Sequence, residues 1–275
     1  RRRLSFPFYL VDPQRRKDCI PDWLNPMFAK ELRSRAFGGG AWIFRVAAGC
    51  FVLSLLLMIG AVGNLVGPTP NLIRSVALVF QLGLAVLIVP SLTAGAITQE
   101  RERGSLELLR LSRLGPVAFL AGKLGVAVMF VSFLVLGTAP GWFAIHYLEI
   151  NTLREILQAW AVIGSALLFA LAAGLCASAV APRTAVATAA AYALVFLTAI
   201  VTLLPLLTAD QLSLRLRELI LVLNPFAAAL QVLTRGVFDD LGVLWQRHVA
   251  MSLGVSGGLF ALAYLRLRWL LAPQK

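Results

Sequence analysis

Long stretches without charged side chains recur along the chain. Six of them are free of Asp, Glu, Lys and Arg, and each is about long enough to cross a bilayer as a helix. They cover residues 46–73, 75–99, 124–148, 156–182, 184–209 and 248–265. The pattern therefore predicts an all-α integral membrane protein with six transmembrane helices. A seventh run, 219–234, is shorter and contains Asn224-Pro225, so we expect it to lie at a membrane surface.

The composition excludes soluble classes of protein. Of the 275 residues, 59% are hydrophobic and 14% are charged, whereas a soluble domain is about 45–50% apolar and about 25% charged. A soluble domain of this size could not cover so much apolar surface. We therefore exclude a soluble enzyme, a disordered segment and a fibrous repeat. The basic start is followed only by the short apolar stretch LSFPFYLV, so we expect no signal peptide.

The distribution of positive charge predicts an orientation. Six spans place both termini on one side, and with the N-terminus inside, 19 Lys and Arg face inward and 6 face outward. By the positive-inside rule we expect a multi-pass protein of the cytoplasmic (inner) membrane with both termini cytoplasmic. The net charge of +12 comes from residues that flank apolar runs. We interpret them as topology signals and contacts to membrane lipids, with no nucleic-acid partner.

The residues before the first run predict an amphipathic elbow helix over 22–40, preceded by a basic segment, 1–21. Asn25-Pro26 provides an N-cap and a first-turn proline, and Gly38–Gly40 ends the helix. Apolar residues repeat at every fourth position: Leu24, Phe28, Leu32 and Ala36. Glu31 can pair with Arg35 on another face. We expect this helix to lie in the plane of the cytoplasmic interface.

The loop over residues 97–116, ITQERERGSLELLRLSRLGP, carries dense charge of both signs. Opposite charges lie three or four positions apart in Glu100–Arg103, Arg103–Glu107 and Glu107–Arg110, so a helix here would be lined with ion pairs. Gly104-Ser105 interrupts this helix and Gly115-Pro116 ends it. Two interpretations stay open: a helix that presents a mixed face to a protein partner, or a solvated loop with ordinary charge pairs.

An outer segment, 209–240, predicts two short helices before the last span. Asp210 can cap the first, which runs through Leu223, while Asn224-Pro225 caps the second and Gly236 ends it. We expect a re-entrant or interfacial helical pair. The transmembrane domain then covers 41–270, and 271–275 is a C-terminal tail.

Groups suited to catalysis are scarce. The sequence contains no P-loop, nucleophile elbow or HExxH helix, so we expect no catalytic residue and no metal site. All 13 acidic residues lie outside the charge-free runs, which argues against a carrier driven by an intramembrane carboxylate. Lys123 is interpreted as reaching lipid headgroups. Thr184, Thr188 and Tyr192 repeat at every fourth position, which favours hydrogen bonding within the helix and helix packing.

Two motifs resemble type-2 ATP-binding-cassette permeases. NPMFAKELRSR at 25–35 is similar to the family's elbow, in which Asn-Pro is followed by Lys-Glu-hydrophobic-Arg. GAITQERERGSLELLRLSRLGP at 95–116 is similar to its first cytoplasmic loop, with Ser105 in place of the common Thr. Gly122-Lys123 and NPFAAALQVLTRG at 224–236 also fit. The resemblance covers nearly the whole chain from residue 22.

The resemblance implies an exporter-like half-transporter. Two such permeases pack as a homodimer or heterodimer, and each docks a separate nucleotide-binding ATPase subunit that carries ATP and Mg, so no cofactor is expected in this chain. Residues 98–113 would form the coupling helix. The carried-over ATPase contacts are Glu100, Arg101, Glu102, Arg103, Gly104, Glu107 and Leu108. The carried-over elbow contacts are Asn25, Lys30, Glu31 and Arg33.

Two alternatives stay open. One is a permease-like subunit whose ATP use drives enzyme maturation or extraction of a membrane protein instead of export. The other is an unrelated polytopic protein, such as a membrane-embedded lipid enzyme or a channel subunit. The enzyme requires a polar cluster near the interface and the channel requires pore-lining polar repeats. The sequence offers no such cluster, and the polar residues of the spans are scattered, with the row Thr184, Thr188 and Tyr192 as the most suggestive.

Overall fold

The chain folds into a bundle of helices. The structure, a computed structural model, describes residues 24–38, 41–62, 70–111, 114–148, 153–206, 213–233 and 243–272, and no strand occurs in these ranges. The first six helices are α1 (Pro26–Gly38), α2 (Ala41–Val62), α3 (Pro70–Ala94), α4 (Thr98–Glu102), α5 (Ser105–Leu111) and α6 (Pro116–Gly137). The others are α7 (Ala139–Leu148), α8 (Leu153–Val180), α9 (Thr184–Ala199), α10 (Leu214–Leu221), α11 (Pro225–Leu233) and α12 (Leu244–Leu271).

Several helices are long and apolar enough to cross a membrane. Among the described residues these are Ser75–Glu102, α6, α8, Thr184–Leu204 and α12, or six if the bent pair α10 and α11 counts as one span. Each predicted charge-free run also contains a helix, the first of them being α2. Helices satisfy their own backbone hydrogen bonds, as the lipid interior requires. The predicted all-α integral membrane protein is confirmed.

α8 lies at the centre of the bundle, where it packs against α3, α9 and α12. Its contact with α3 is close because Gly174 lacks a side chain: a Cβ there would lie 2.7 Å from the carbonyl oxygen of Pro90. Thr93 Oγ1 donates to the Leu171 carbonyl at 2.9 Å across the same contact. Small residues and hydroxyl bonds of this kind are typical of helix packing in membranes.

The third predicted run, 124–148, differs from the structure at both ends. α6 begins eight residues earlier, at Pro116, and includes Lys123. It ends at Gly137, and Ala139–Leu148 forms a separate helix, α7, which packs against α2. The early start is possible because Lys123 is neutralised by acidic partners inside the protein, as described below. The interpretation of Lys123 as a headgroup contact is therefore wrong.

α10 and α11 form the predicted helical pair, with a bend of 100° between them. Asn224, which is fully buried, caps α11 by accepting the Ala227 N–H at 3.0 Å. Its amide nitrogen donates to the Ala199 carbonyl at 2.9 Å and to Thr202 Oγ1 at 2.7 Å. The predicted cap at Asn224-Pro225 is confirmed. α10 begins after Ser213, and both Asp210 and Gly236 lie outside the described residues.

Candidate functional site

The loop between α3 and α6 contains two short helices separated by a sharp break. Arg103 and Gly104 lie between α4 and α5. Gly104 has a φ of +69°, a left-handed conformation that glycine adopts without the strain a side chain would bring. The predicted interruption at Gly104-Ser105 is confirmed. Pro116 then begins α6, with Gly115 as its N-cap.

Four charged side chains, Lys30, Glu31, Glu100 and Lys123, join this loop to α1 and α6 and are called the ion cluster below. Lys123 Nζ lies 2.7 Å from Glu31 Oε2 and 2.9 Å from Glu100 Oε1. Lys30 Nζ lies 3.0 Å from Glu100 Oε2. The side chains of Glu31, Glu100 and Lys123 are almost inaccessible, whereas that of Lys30 is 50% exposed. Two positive and two negative charges thus meet where three helices join.

Burial makes the ion cluster a strict positional constraint. Removing one partner of a buried ion pair typically costs about 3–5 kcal/mol, because the remaining charge is then left without compensation. Ser105 adds a further partner, since its hydroxyl contacts the Glu100 carboxylate and lies 3.1 Å from the Glu100 carbonyl oxygen. The start of α5 is thereby bound to α4. The arrangement holds α1, α4 and α6 in one relative position.

A second polar contact joins α4 to the start of α9. Glu102 Oε1 accepts the Thr184 N–H at 2.7 Å, and Oε2 accepts the Thr184 hydroxyl at 2.8 Å. The N-cap residue Arg183 supplies no side-chain cap, so Glu102 performs that role from another helix. Thr188 Oγ1 donates to the Thr184 carbonyl at 2.9 Å, which confirms the predicted bonding within α9 for that residue.

The end of α8 supports the same loop through backbone groups. Ser178 Oγ accepts the N–H groups of Ile97 and Thr98 at 2.8 and 3.1 Å. Arg101 Nη1 donates to the Ala181 carbonyl at 3.0 Å. The two bonds to Ser178 satisfy backbone donors at the start of α4 that the helix itself leaves free. α4 is therefore fixed on both sides, by the ion cluster and by the connection between α8 and α9.

α1 packs against α6. Asn25 Oδ1 accepts the Met27 N–H at 2.9 Å, and Asn25 Nδ2 donates to the Ala118 carbonyl at 2.7 Å. The residue that faces α1 on α6 is Gly122, where a Cβ would lie only 2.7 Å from Met27 Cβ. The predicted apolar stripe is partly right: Phe28 and Leu32 are half-buried, but Met27, Ala29 and Glu31 are buried more deeply.

The structure divides the predicted ATPase-contact residues into two groups. Glu100 is buried and Arg101 and Glu102 bond to α8–α9 residues, so these three position the loop. Arg103, Gly104, Glu107 and Leu108 are exposed. Among the predicted elbow contacts, Arg33 and Lys30 are exposed, whereas Glu31 is buried. The Glu100–Arg103 pair is wrong as a prediction, because Glu100 points to Lys123 and Lys30.

The exposed side of α5 carries two apolar side chains that the bundle does not cover. Leu108 is 70% exposed and Leu111 is 86% exposed. Leu106, by contrast, is buried in the core below them. We call Arg103, Glu107, Leu108 and Leu111 the exposed loop face. Large apolar side chains grouped with charges on one exposed surface are typical of a protein contact.

The sequence interpretation missed several residues of this site. Lys123, Ser105, Ser178 and Leu111 were not among the predicted contacts. Lys123 carried a usable signal, because a lysine inside an otherwise apolar helix requires either a lipid-surface position or a buried partner. Ser178 carried none, since a serine within an apolar run is common in helix packing.

Comparison with known proteins identifies the family. The model of the ABC-2 family transporter proteins matches residues 67–266, which include α4, α5, the α10–α11 pair and most of α12. A comparison with curated proteins found no match. The matched range begins after α1 and α2, so it does not include the elbow motif at 25–35. The match covers well over half of the chain, which therefore belongs to the ABC-2 family of transporter proteins and is a multi-pass membrane permease.

Proposed function

We propose that this chain is the membrane-spanning subunit of an ABC exporter. In this proposal it pairs with a second permease subunit, identical or related, and each permease docks a separate nucleotide-binding ATPase. The observation that carries the proposal is the exposed loop face, presented by α5 and the break before it, which Ser105 and the ion cluster fix to the bundle. The family match supports an ATP-binding partner in general terms.

The contacts of the loop are suited to passing a displacement of α5 on to the rest of the bundle. A force applied at Leu108 and Leu111 reaches α4 through the Ser105–Glu100 contact. From Glu100 it passes to α1 and α6 through Lys123, and from Glu102 to α9. A rigid joint moves its attached helices together, whereas a flexible loop would absorb the displacement. Closure of the ATPase pair can then bias the bundle between two states.

ATP and Mg belong to the partner subunit in this proposal. The chain contributes the docking surface and the path across the membrane, and hydrolysis takes place on the ATPase. The excess of Lys and Arg on one side supports an orientation with α1, α4 and α5 in the cytoplasm. The cytoplasmic membrane is therefore the proposed location, with both termini inside.

Affinity purification from the native host in mild detergent tests the docking surface. We expect a stoichiometric P-loop ATPase with the parent chain and its loss from the variant Leu108→Arg/Leu111→Arg. Val117→Arg is the matched control, because Val117 is 65% exposed at the same end of the bundle but lies outside α4 and α5. This control should retain the ATPase. Absence of any ATPase from the parent preparation, or retention by the double variant, would contradict the proposal.

A further inference from the structure

α9 is held at both ends by polar contacts from the two pairs of short helices. At its start, the Thr184 N–H and hydroxyl both donate to the Glu102 carboxylate of α4. At its end, the Asn224 amide nitrogen donates to the Ala199 carbonyl at 2.9 Å and to Thr202 Oγ1 at 2.7 Å. Thr184 and Ala199 are about 22 Å apart along the helix, at 1.5 Å per residue. α9 therefore connects the loop that carries α4 and α5 with the α10–α11 pair.

A third contact attaches the middle of α9 to the span that leads into this loop. The Tyr192 hydroxyl donates to the Leu87 carbonyl of α3 at 2.6 Å. α3 and α4 belong to one apolar span, Ser75–Glu102, so α9 is bound to the same stretch of chain at two levels. The Thr188 hydroxyl, by contrast, bonds within α9 itself. A displacement of α4 along the bundle therefore acts on α9 through Thr184 and Tyr192.

The buried face of α9 consists of short side chains. Its buried residues are Ala187, Ala191, Val195 and Ala199, and the helix packs against α3 and α8. Short side chains enter the grooves of a neighbouring helix less deeply than long ones, so a shift along the axis disrupts little packing. Helix shifts of about 1–2 Å are common in conformational transitions. The axial position of α9 then depends mainly on the polar contacts at Thr184, Tyr192 and Asn224.

Asn224 is the group that a shift of α9 would move. Its amide makes two bonds to the end of α9 and the turn that follows, through Ala199 and Thr202, and one bond within α11, to the Ala227 N–H at 3.0 Å. A shift of about 1–2 Å exceeds the range over which a hydrogen bond persists. The amide should follow its two bonds to α9 and release the Ala227 N–H.

We propose that α9 transmits the displacement of α4 to the α10–α11 pair, so that closure of the ATPases releases the Asn224 cap of α11. The inference rests on the proposed function, because the displacement begins at the docked ATPase. It adds a path to the opposite end of the bundle that does not pass through the ion cluster. Coupling between two sites requires an element with two arrangements that both sites bias, and the axial position of α9 is that element.

Hydrogen exchange at the Ala227 amide tests this path in the permease–ATPase complex, purified from the native host in mild detergent. A non-hydrolysable ATP analogue should accelerate the exchange about fivefold, the factor that corresponds to one hydrogen bond of ordinary strength. Thr184→Pro/Tyr192→Phe should abolish this response. Proline is well tolerated at the first position of a helix, where Thr184 lies, and it removes both donors to Glu102. The ATPase should remain bound, because Glu102 and the exposed loop face are unchanged.

Thr188→Val is the matched control, because it removes a hydroxyl of α9 that does not bond to α3, α4 or α11. It should keep the fivefold response. A full response in Thr184→Pro/Tyr192→Phe, or equal loss in Thr188→Val, would overturn α9 as the path. Absence of a response from the parent complex with its ATPase bound would do the same and leave the docking surface unaffected. A parent preparation without an ATPase would contradict the proposed function and this inference with it.

Discussion

The two ends of the bundle are both closed by pairs of short helices, but through opposite chemistry. At the end with α4 and α5, charged groups are buried together around Lys123. At the end with α10 and α11, the buried group is the neutral amide of Asn224, which bonds to backbone and a hydroxyl. The ion pair at that second end, Arg247–Glu218, is largely exposed.

This difference determines how strictly each end holds its helices in one relative position. A buried charge is satisfied only when its counter-charges are close, so the ion cluster defines one arrangement and penalises others. An amide bonded to backbone loses less when its neighbours shift, since the cost is that of neutral hydrogen bonds. We therefore expect the end with the ion cluster to keep one arrangement of its helices when a force acts on it. The second end is built with weaker constraints.

Lys123→Met disrupts the ion cluster and should have the largest effect on the free energy of unfolding. Glu31 and Glu100 would remain buried without their shared cation, and we expect a loss of about 3–5 kcal/mol in the free energy of unfolding. Denaturant unfolding of the purified chain in detergent measures this. Lys30→Met is the matched control: the same charge is lost at a half-exposed position, so its effect should stay below about 1 kcal/mol. Equal losses in both variants would show that burial does not strengthen the cluster.

Gly122→Ala tests the close approach of α1 to α6 beside the ion cluster. The new Cβ would lie 2.8 Å from the backbone nitrogen of Phe28, so α1 must move, at a cost of about 1–3 kcal/mol. Unfolding and protease cleavage of α1 report the change. Gly164→Ala in α8 is the control, because its Cβ meets open space and should stabilise the helix by up to about 1 kcal/mol. A stabilised Gly122→Ala protein would contradict the close contact.

Asn224→Ala removes the buried amide at the end with α10 and α11 and tests the difference between the two ends. Loss of the cap and of two donated bonds should destabilise the protein by about 1–3 kcal/mol, less than Lys123→Met. Hydrogen exchange at the amides of Ala227 and Ala228 should accelerate. Thr202→Val removes only one of the bonds and should have a smaller effect. A loss equal to that of Lys123→Met would remove the distinction between the two ends.

Glu102→Ala should have the smallest and most local effect. The carboxylate that caps α9 is exposed, so its loss should speed exchange of the Thr184 amide while leaving global unfolding unchanged. Glu102→Gln retains an acceptor and should protect that amide partly. Exchange that is unaffected in Glu102→Ala would show that the contact does not persist in solution.

Local signals in the sequence predict the elements of both ends. The charge-free runs predict the long helices because a span must be apolar along its whole length. Gly104-Ser105 and Asn224-Pro225 mark the two breaks because their backbone preferences act within a few residues. These features depend only on neighbours in the chain, and the structure confirms them.

The ion cluster around Lys123 could not be predicted in the same way. Its partners Glu31 and Glu100 lie 92 and 23 positions earlier in the chain, and only tertiary packing brings them together. The spacing of Glu100 and Arg103 favoured a local pair, but burial against two lysines outweighs a solvent-exposed pair on one helix. The start of α6 was misplaced for the same reason. Exposure of Leu108 and Leu111 likewise depends on how the whole loop docks.

The order of the ion cluster along the chain has a consequence for biogenesis. Lys30, Glu31 and Glu100 are all synthesised before Lys123. When α6 emerges from the ribosome and enters the bilayer, the acidic partners of its lysine are therefore already present. A lysine that inserted first would lie at the end of an apolar span without a counter-charge, which is unfavourable. The chain order thus allows α6 to insert as an effectively neutral segment.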